Sequence, residues 1–297
     1  MPDGAIVFDN VSKSFRGRTV LRNISCEILP GQRVGIIGPN GSGKTTLLNL
    51  LCGLLRPDSG QITFGGNPIV ATRFLLEAGI LQDTARCFLS LSGNDNIELL
   101  RRGPVFRAPQ ETQALLDSVG IGDSSRRAFR TYSHGMKQRV GLALALLGYP
   151  PILIFDEPTN ALDPVGIVEM RSLIKQATAG AGTIIMCSHL LHEVELACDR
   201  IMVLKEGNLI ASFNLTDVQK MRHLYTIRTV NPAEAVAIVN GIAGLRVLKV
   251  EGNVLEVESS SHDGYELLKR LMDAGIRCDE FARKETRLEE VFMDVIK

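Results

Sequence analysis

The run GPNGSGKTT, residues 38–46, carries the densest chemistry in the sequence. Gly38, Gly43, Lys44 and Thr45 satisfy G-x-x-x-x-G-K-[ST], with Pro39, Asn40, Gly41, Ser42 and Thr46 completing the run. Glycines at this spacing let successive backbone N–H groups curl around phosphate oxygens, and a helix starting there adds positive potential. The Lys44 ammonium can then reach β- and γ-phosphates, and the Thr45 hydroxyl can ligate Mg²⁺. An ordinary glycine turn is the competing reading; the complete motif between a buried strand and a helix weighs against it.

Two acids come next. The apolar run ILIFDEP, residues 152–158, ends in Asp156 and Glu157. The carboxyl end of a buried parallel strand is where ligands gather. Asp156 can hold the metal there, and Glu157 can accept a proton from water attacking a γ-phosphate.

Ser133 and His134 in TYSHGMKQRV suggest a nucleophile beside its base. A serine hydrolase would need G-x-S-x-G after a buried strand, but Thr131 occupies the first position and SSRRAFRTY precedes it. Ser133 opens the helical run HGMKQRVGLALALL as an N-cap would, and Gly135 permits close backbone approach, which together describe an anion site. His189, His192 and Glu193 spell H-x-x-H-E rather than the zinc-binding H-E-x-x-H, and His192 reads as a solvated helix residue.

These residues need a covered, mostly parallel sheet to hold them. RVGIIG, ILIFDEP, TIIMCSH and RIMVLKEG read as buried strands, with helical patterns such as VGIVEMRSLIKQA between them. The first thirty residues alternate apolar and polar, as short antiparallel strands around a turn at Arg16-Gly17-Arg18. Residues 85–148 read as a mostly helical insertion. From about residue 216 the order becomes βαββαβ, with a closing helix over RLEEVFMDVI. That order predicts a ferredoxin-like split-βαβ unit, so the expected domains are 1–215 and 216–297.

Composition narrows the partners. Lysine plus arginine equals aspartate plus glutamate, 33 each, which argues against a broad basic surface for nucleic acid. The six cysteines form no C-x-x-C pair and read as small hydrophobes. MPDGAIVFDN is not a signal peptide, and the apolar runs fall short of the roughly 20 residues that span a bilayer.

Six ordered elements make the chain resemble the ATP-binding subunit of an ATP-binding-cassette (ABC) transporter over about residues 4–213. They are GPNGSGKTT, LQD with Gln82, YSHGMKQR, ILIFDE, NALD (Asn160 to Asp163) and CSH with His189. The resemblance implies a P-loop NTPase fold, α/β, with an antiparallel β-subdomain and a helical insertion. It assigns Phe15 to adenine stacking, Gln82 to sensing Mg²⁺ and the membrane partner, and His189 to the γ-phosphate. A core-filling apolar role competes for Phe15. Ser133 and Gly135, within a signature that usually reads L-S-G-G-Q, are assigned to the ATP of an opposing subunit, and Asp163 of NALD is counted among the nucleotide-binding residues.

The implied activity is ATP hydrolysis by two subunits paired head to tail, as a homodimer or heterodimer, with Mg²⁺ as cofactor. The implied partner is an integral membrane permease that would hold the chain at the cytoplasmic face of the cell membrane. Its helices are expected near Gln82, at Phe88 and Leu89 in RCFLSLSGNDN. The tail RLEEVFMDVI is similar to those of ABC-2-type exporters. A soluble ABC ATPase of translation or DNA repair is disfavoured by the single cassette and the lack of long heptads; a slow nucleotide-gated switch is the other alternative.

Overall fold

The computed structural model describes residues 4–69, 74–82, 87–102, 111–180, 182–217, 223–259 and 264–284. The expected closing helix, residues 287–296, lies outside them, as does Arg86 of the expected docking segment. The chain divides between Ser212 and Phe213 into two compact units, slightly ahead of the expected boundary.

In the first unit, β1 (Ile6–Phe15) and β2 (Arg18–Ile28) pair antiparallel, with Ile6 opposite Ile28 and Phe8 opposite Cys26. Alternation places Ile6, Phe8, Leu21, Ile24 and Ile28 in the core. β4 (Ser59–Phe64) covers the other edge of β1, and β5 (Asn67–Pro68) adds a short edge, giving the order β2-β1-β4-β5. Sequence periodicity did not announce β4, because SGQITF begins with three residues of weak strand propensity.

The second sheet contains β3 (Arg33–Ile37), β6 (Ala78–Leu81), β7 (Ile152–Asp156), β8 (Thr183–Ser188), β9 (Arg200–Lys205) and β10 (Asn208–Asn214). Its order is β10-β9-β3-β8-β7-β6. β9, β3, β8, β7 and β6 run parallel. β7 and β8 are buried at every position, as strands covered on both faces must be. The edge strand β6 was not anticipated, since its four residues include a glycine and fall below a recognisable pattern.

Helix α1 (Lys44–Leu51) sends Leu47, Leu48, Leu50 and Leu51 into one apolar cluster with residues of both sheets. Each such leucine contributes about 1.5–3 kcal/mol on burial, so this contact fixes where the helix begins. The helical part contains α2 (Gly93–Arg101), α3 (Thr112–Ser118) and α4 (His134–Ala145). Helices α5 (Pro164–Ala177) and α6 (Leu191–Ala197) complete the unit.

The second unit contains β11 (His223–Thr229), α7 (Pro232–Asn240), β12 (Leu245–Glu251), β13 (Val254–Ser259), α8 (Gly264–Asp273) and β14 (Cys278–Lys284). The strands pair antiparallel in the order β12-β13-β11-β14. That is a split-βαβ arrangement, packed around Ile227, Ala235, Val239, Leu255, Val257, Leu267 and Leu271.

A candidate phosphate-binding cleft at the sheet's carboxyl end

Strands β3, β8 and β7 are neighbours, and each delivers one part of the site from its carboxyl end. Ile37 lies opposite Ser188, and Asp156 opposite Cys187. Gly38, His189 and Glu157 are therefore the first residues beyond three adjacent strands.

The glycine loop fits tightly. A Cβ on Gly38 would stand 2.1 Å from the Leu204 carbonyl oxygen, so only glycine lets the loop leave β3 against β9. Gly43 caps α1 with φ +109°, a region unfavourable to residues with a side chain. Lys44 is buried; its Nζ donates to the Gly38 carbonyl at 2.8 Å and lies 3.4 Å from Glu157 Oε1.

Glu157 adopts φ +50°, while its N–H donates to the Cys187 carbonyl at 2.9 Å. Its second carboxylate oxygen, Oε2, accepts from His189 Nδ1 at 2.7 Å and from the His189 N–H at 3.3 Å. Lysine, carboxylate and imidazole thus form one connected group on a cleft also lined by Pro39 to Thr46, Gln82 and Asp156. Thr45 is exposed there and Asp156 is buried. Gln82 Nε2 donates to Asn49 Oδ1 at 3.3 Å, so Asn49, a helix residue with no motif of its own, sets the Gln82 amide.

The remaining expected residues lie elsewhere. Phe15 is 42% exposed at the end of β1 with the Lys13 ammonium 5.6 Å from its ring centre, and is not among the residues lining the cleft. Gly17 to Val20, just past the turn at Arg16 and Gly17 with positive φ at both, do line the cleft. Ser133, Gly135 and Asp163 also lie outside the lining.

Ser133 caps α4, its Oγ accepting the Met136 N–H at 3.2 Å. The His134 Nε2 donates to the Asn160 carbonyl at 3.1 Å. Serine and histidine thus have separate partners, and nothing pairs them as nucleophile and base. Tyr132, where the usual signature has leucine, is buried; its hydroxyl donates to the Ser124 carbonyl at 2.7 Å and its ring packs on Phe129. Asp163 caps α5 by accepting the Gly166 N–H at 2.8 Å.

His192 faces Glu195 at 3.4 Å on the surface, and no His/Cys/Asp/Glu cluster suited to a metal occurs among the described residues. Burial pushes the Cys52 and Cys198 thiols up to about 12, so they stay protonated at neutral pH. No helix among the described residues is long and apolar enough to cross a membrane.

The sequence profile of the ABC transporter family matches residues 21–160. The ABC transporter ATP-binding protein YhcH of Bacillus subtilis is 33% identical over 96% of this chain and 94% of its own length. The bacitracin transport ATP-binding protein BcrA of Enterococcus faecalis is 30% identical over 97% and 95%. Among solved structures, a dimeric post-hydrolysis ATP-binding cassette bound to ADP and Pi is 25% identical, with a TM-score of 0.63, covering 71% of this chain and 98% of that one. ATP-binding, the cassette fold and the ordered motifs converge: the chain belongs to the ABC transporter family, as one of its ATP-hydrolysing subunits.

Proposed function

We propose that the chain is the motor of an export-type transporter, hydrolysing ATP between two head-to-tail ATPase subunits and moving a separate membrane-spanning partner. The observation that carries this reading is the convergence of Lys44, Glu157 and His189 beside the glycine loop. In the reaction, the Lys44 ammonium and the loop N–H groups bind the β- and γ-phosphates. Glu157 takes a proton from the attacking water as its oxygen bonds to the γ-phosphorus. The bond to the bridging oxygen then breaks, and ADP and phosphate leave. His189 orients Glu157 and the water, which must lie in line with the leaving oxygen.

The donors facing the cleft suit Mg²⁺: the Thr45 hydroxyl, the Gln82 amide oxygen and the Asp156 carboxylate are the hard oxygens this ion takes. Those residues would hold it, and it would supply charge neutralisation on the phosphates.

Ser133 and Gly135 open α4 outside the chain's own cleft, a placement that supports their action on the ATP of a second subunit. Phe88 and Leu89 are 62% and 59% exposed, and both line the cleft beside Gln82. Buried Asn96 holds that segment, accepting the Phe88 N–H at 2.7 Å and donating to the Phe88 carbonyl at 3.1 Å. A rigidly held apolar pair suits docking by helices of a permease at the cytoplasmic face of the membrane. Export is the direction suggested by the tail RLEEVFMDVI. Reconstitution with the permease tests the reading: ATP-driven efflux supports it, and hydrolysis with no effect of the partner contradicts it.

A further inference from the structure

Glu193 is only 3% exposed, a charged group in the interior that needs partners to stay there. Thr159 Oγ1 donates to its Oε1, Ser188 Oγ donates to its Oε2 at 2.9 Å, and the Arg171 guanidinium lies 3.5 Å from Oε1. Thr159 stands two residues beyond Glu157, and Ser188 directly precedes His189. One carboxylate therefore joins the loop after β7 to the end of β8.

The junction reaches further. Ser188 Oγ also accepts the Leu190 N–H at 3.0 Å, so the two neighbours of His189 are tied to each other. Glu157 holds φ +50°, a conformation that a non-glycine residue keeps where its surroundings over-determine it. The bond from its N–H to Cys187 fixes the loop at the start, and the Thr159–Glu193 bond fixes it beyond the turn.

We propose that Glu193 is a positioning residue for hydrolysis: its carboxylate locks the loop carrying Glu157 to the strand end carrying His189. This rests on the roles given above to Glu157 and His189. An ionised carboxylate accepts from both hydroxyls at once. Glutamine, of equal size, presents one oxygen and one NH₂ group, so one hydroxyl proton loses its acceptor.

The test is ATP turnover by the full chain. Glu193→Gln should lower kcat about tenfold or more, with KM for ATP, ATP affinity and melting temperature close to wild type. Adding Ser188→Ala should cost little beyond the worse single variant, because both act through one junction. Thr159→Val, which removes one arm of the clamp, carries the same test should Glu193→Gln fail to fold. Unchanged kcat in a folded variant overturns the proposal, as does a loss matched by lost ATP affinity. Glu157→Gln is the control: wild-type turnover there overturns the reading of Glu157 and the proposal with it. An inactive Glu157→Gln beside a fully active Glu193→Gln overturns the positioning role alone.

Discussion

Glu157 Oε2 and His189 Nδ1 lie 2.7 Å apart, although 32 positions separate them in the chain. The carboxylate can only accept, so Nδ1 carries the shared hydrogen. In the neutral ring this leaves Nε2 as an acceptor. A hydrogen bond from His189 to a γ-phosphate therefore requires a second proton on the ring, or release of Nδ1 from Glu157. Lys44 faces the other carboxylate oxygen at 3.4 Å, so arriving phosphates would compete with Glu157 for that ammonium.

The signature should separate folding from catalysis. A Cβ on Gly135 would meet only Leu162 Cδ2 at 3.6 Å, an ordinary contact, so the chain itself tolerates alanine there. Gly135→Ala should leave the melting temperature within about 3 °C of wild type. ATPase activity should nevertheless fall about tenfold or more if a neighbour's phosphate must approach this backbone. Ser133→Ala should cost about 1 kcal/mol of stability through its lost cap, with a larger loss of activity. Thermal unfolding and steady-state phosphate release check both; unchanged activity in Gly135→Ala would count against binding in trans.

At the proposed docking pair, Phe88→Ala and Leu89→Ala should weaken partner binding. Removing two exposed apolar anchors should lower affinity about tenfold or more. Co-purification with the permease and transport in vesicles measure this. Transport at the wild-type rate in the double variant would exclude this surface.

The helical part should show a defined acid response. Glu98 accepts from Arg101 at 2.7 and 2.8 Å and from Thr112 at 2.5 Å, and also pairs with Arg102. Hydrogen bonds from Arg101 first, then Thr112, hold its carboxyl well below the usual range. A depressed folded pKa means stabilisation present above the unfolded value of about 4.3, and lost as pH falls towards the folded value. Glu98→Gln should thus lower the melting temperature by about 1–3 °C at pH 7, with the gap closing below about pH 4. A constant gap across that range would assign its effect to something other than charge.

Most of the site was legible because its groups are backbone-driven. Gly38, Gly43 and Lys44 announce a phosphate loop by spacing alone, and continuous apolar runs announce the buried strands that present Asp156 and His189. Ser133 could be read as a cap because capping is local. What stayed hidden depends on contacts between distant segments. Glu193 looked like a neighbour of a histidine until folding brought Thr159 and Ser188 to it. Asn49 and Asn96 carry no local signature, since an amide inside a helix acquires its purpose from the loop it meets.

Comparing phosphate release from wild type and Glu157→Gln shows whether this cleft hydrolyses ATP with Glu157 as the proton acceptor. The full chain should be used, alone and with its permease, with ATP binding measured in parallel. The substitution should lower kcat by about 10²–10⁴-fold while ATP binding stays within a few-fold of wild type. Wild-type turnover no faster than that of Glu157→Gln, even with the partner present, would contradict it.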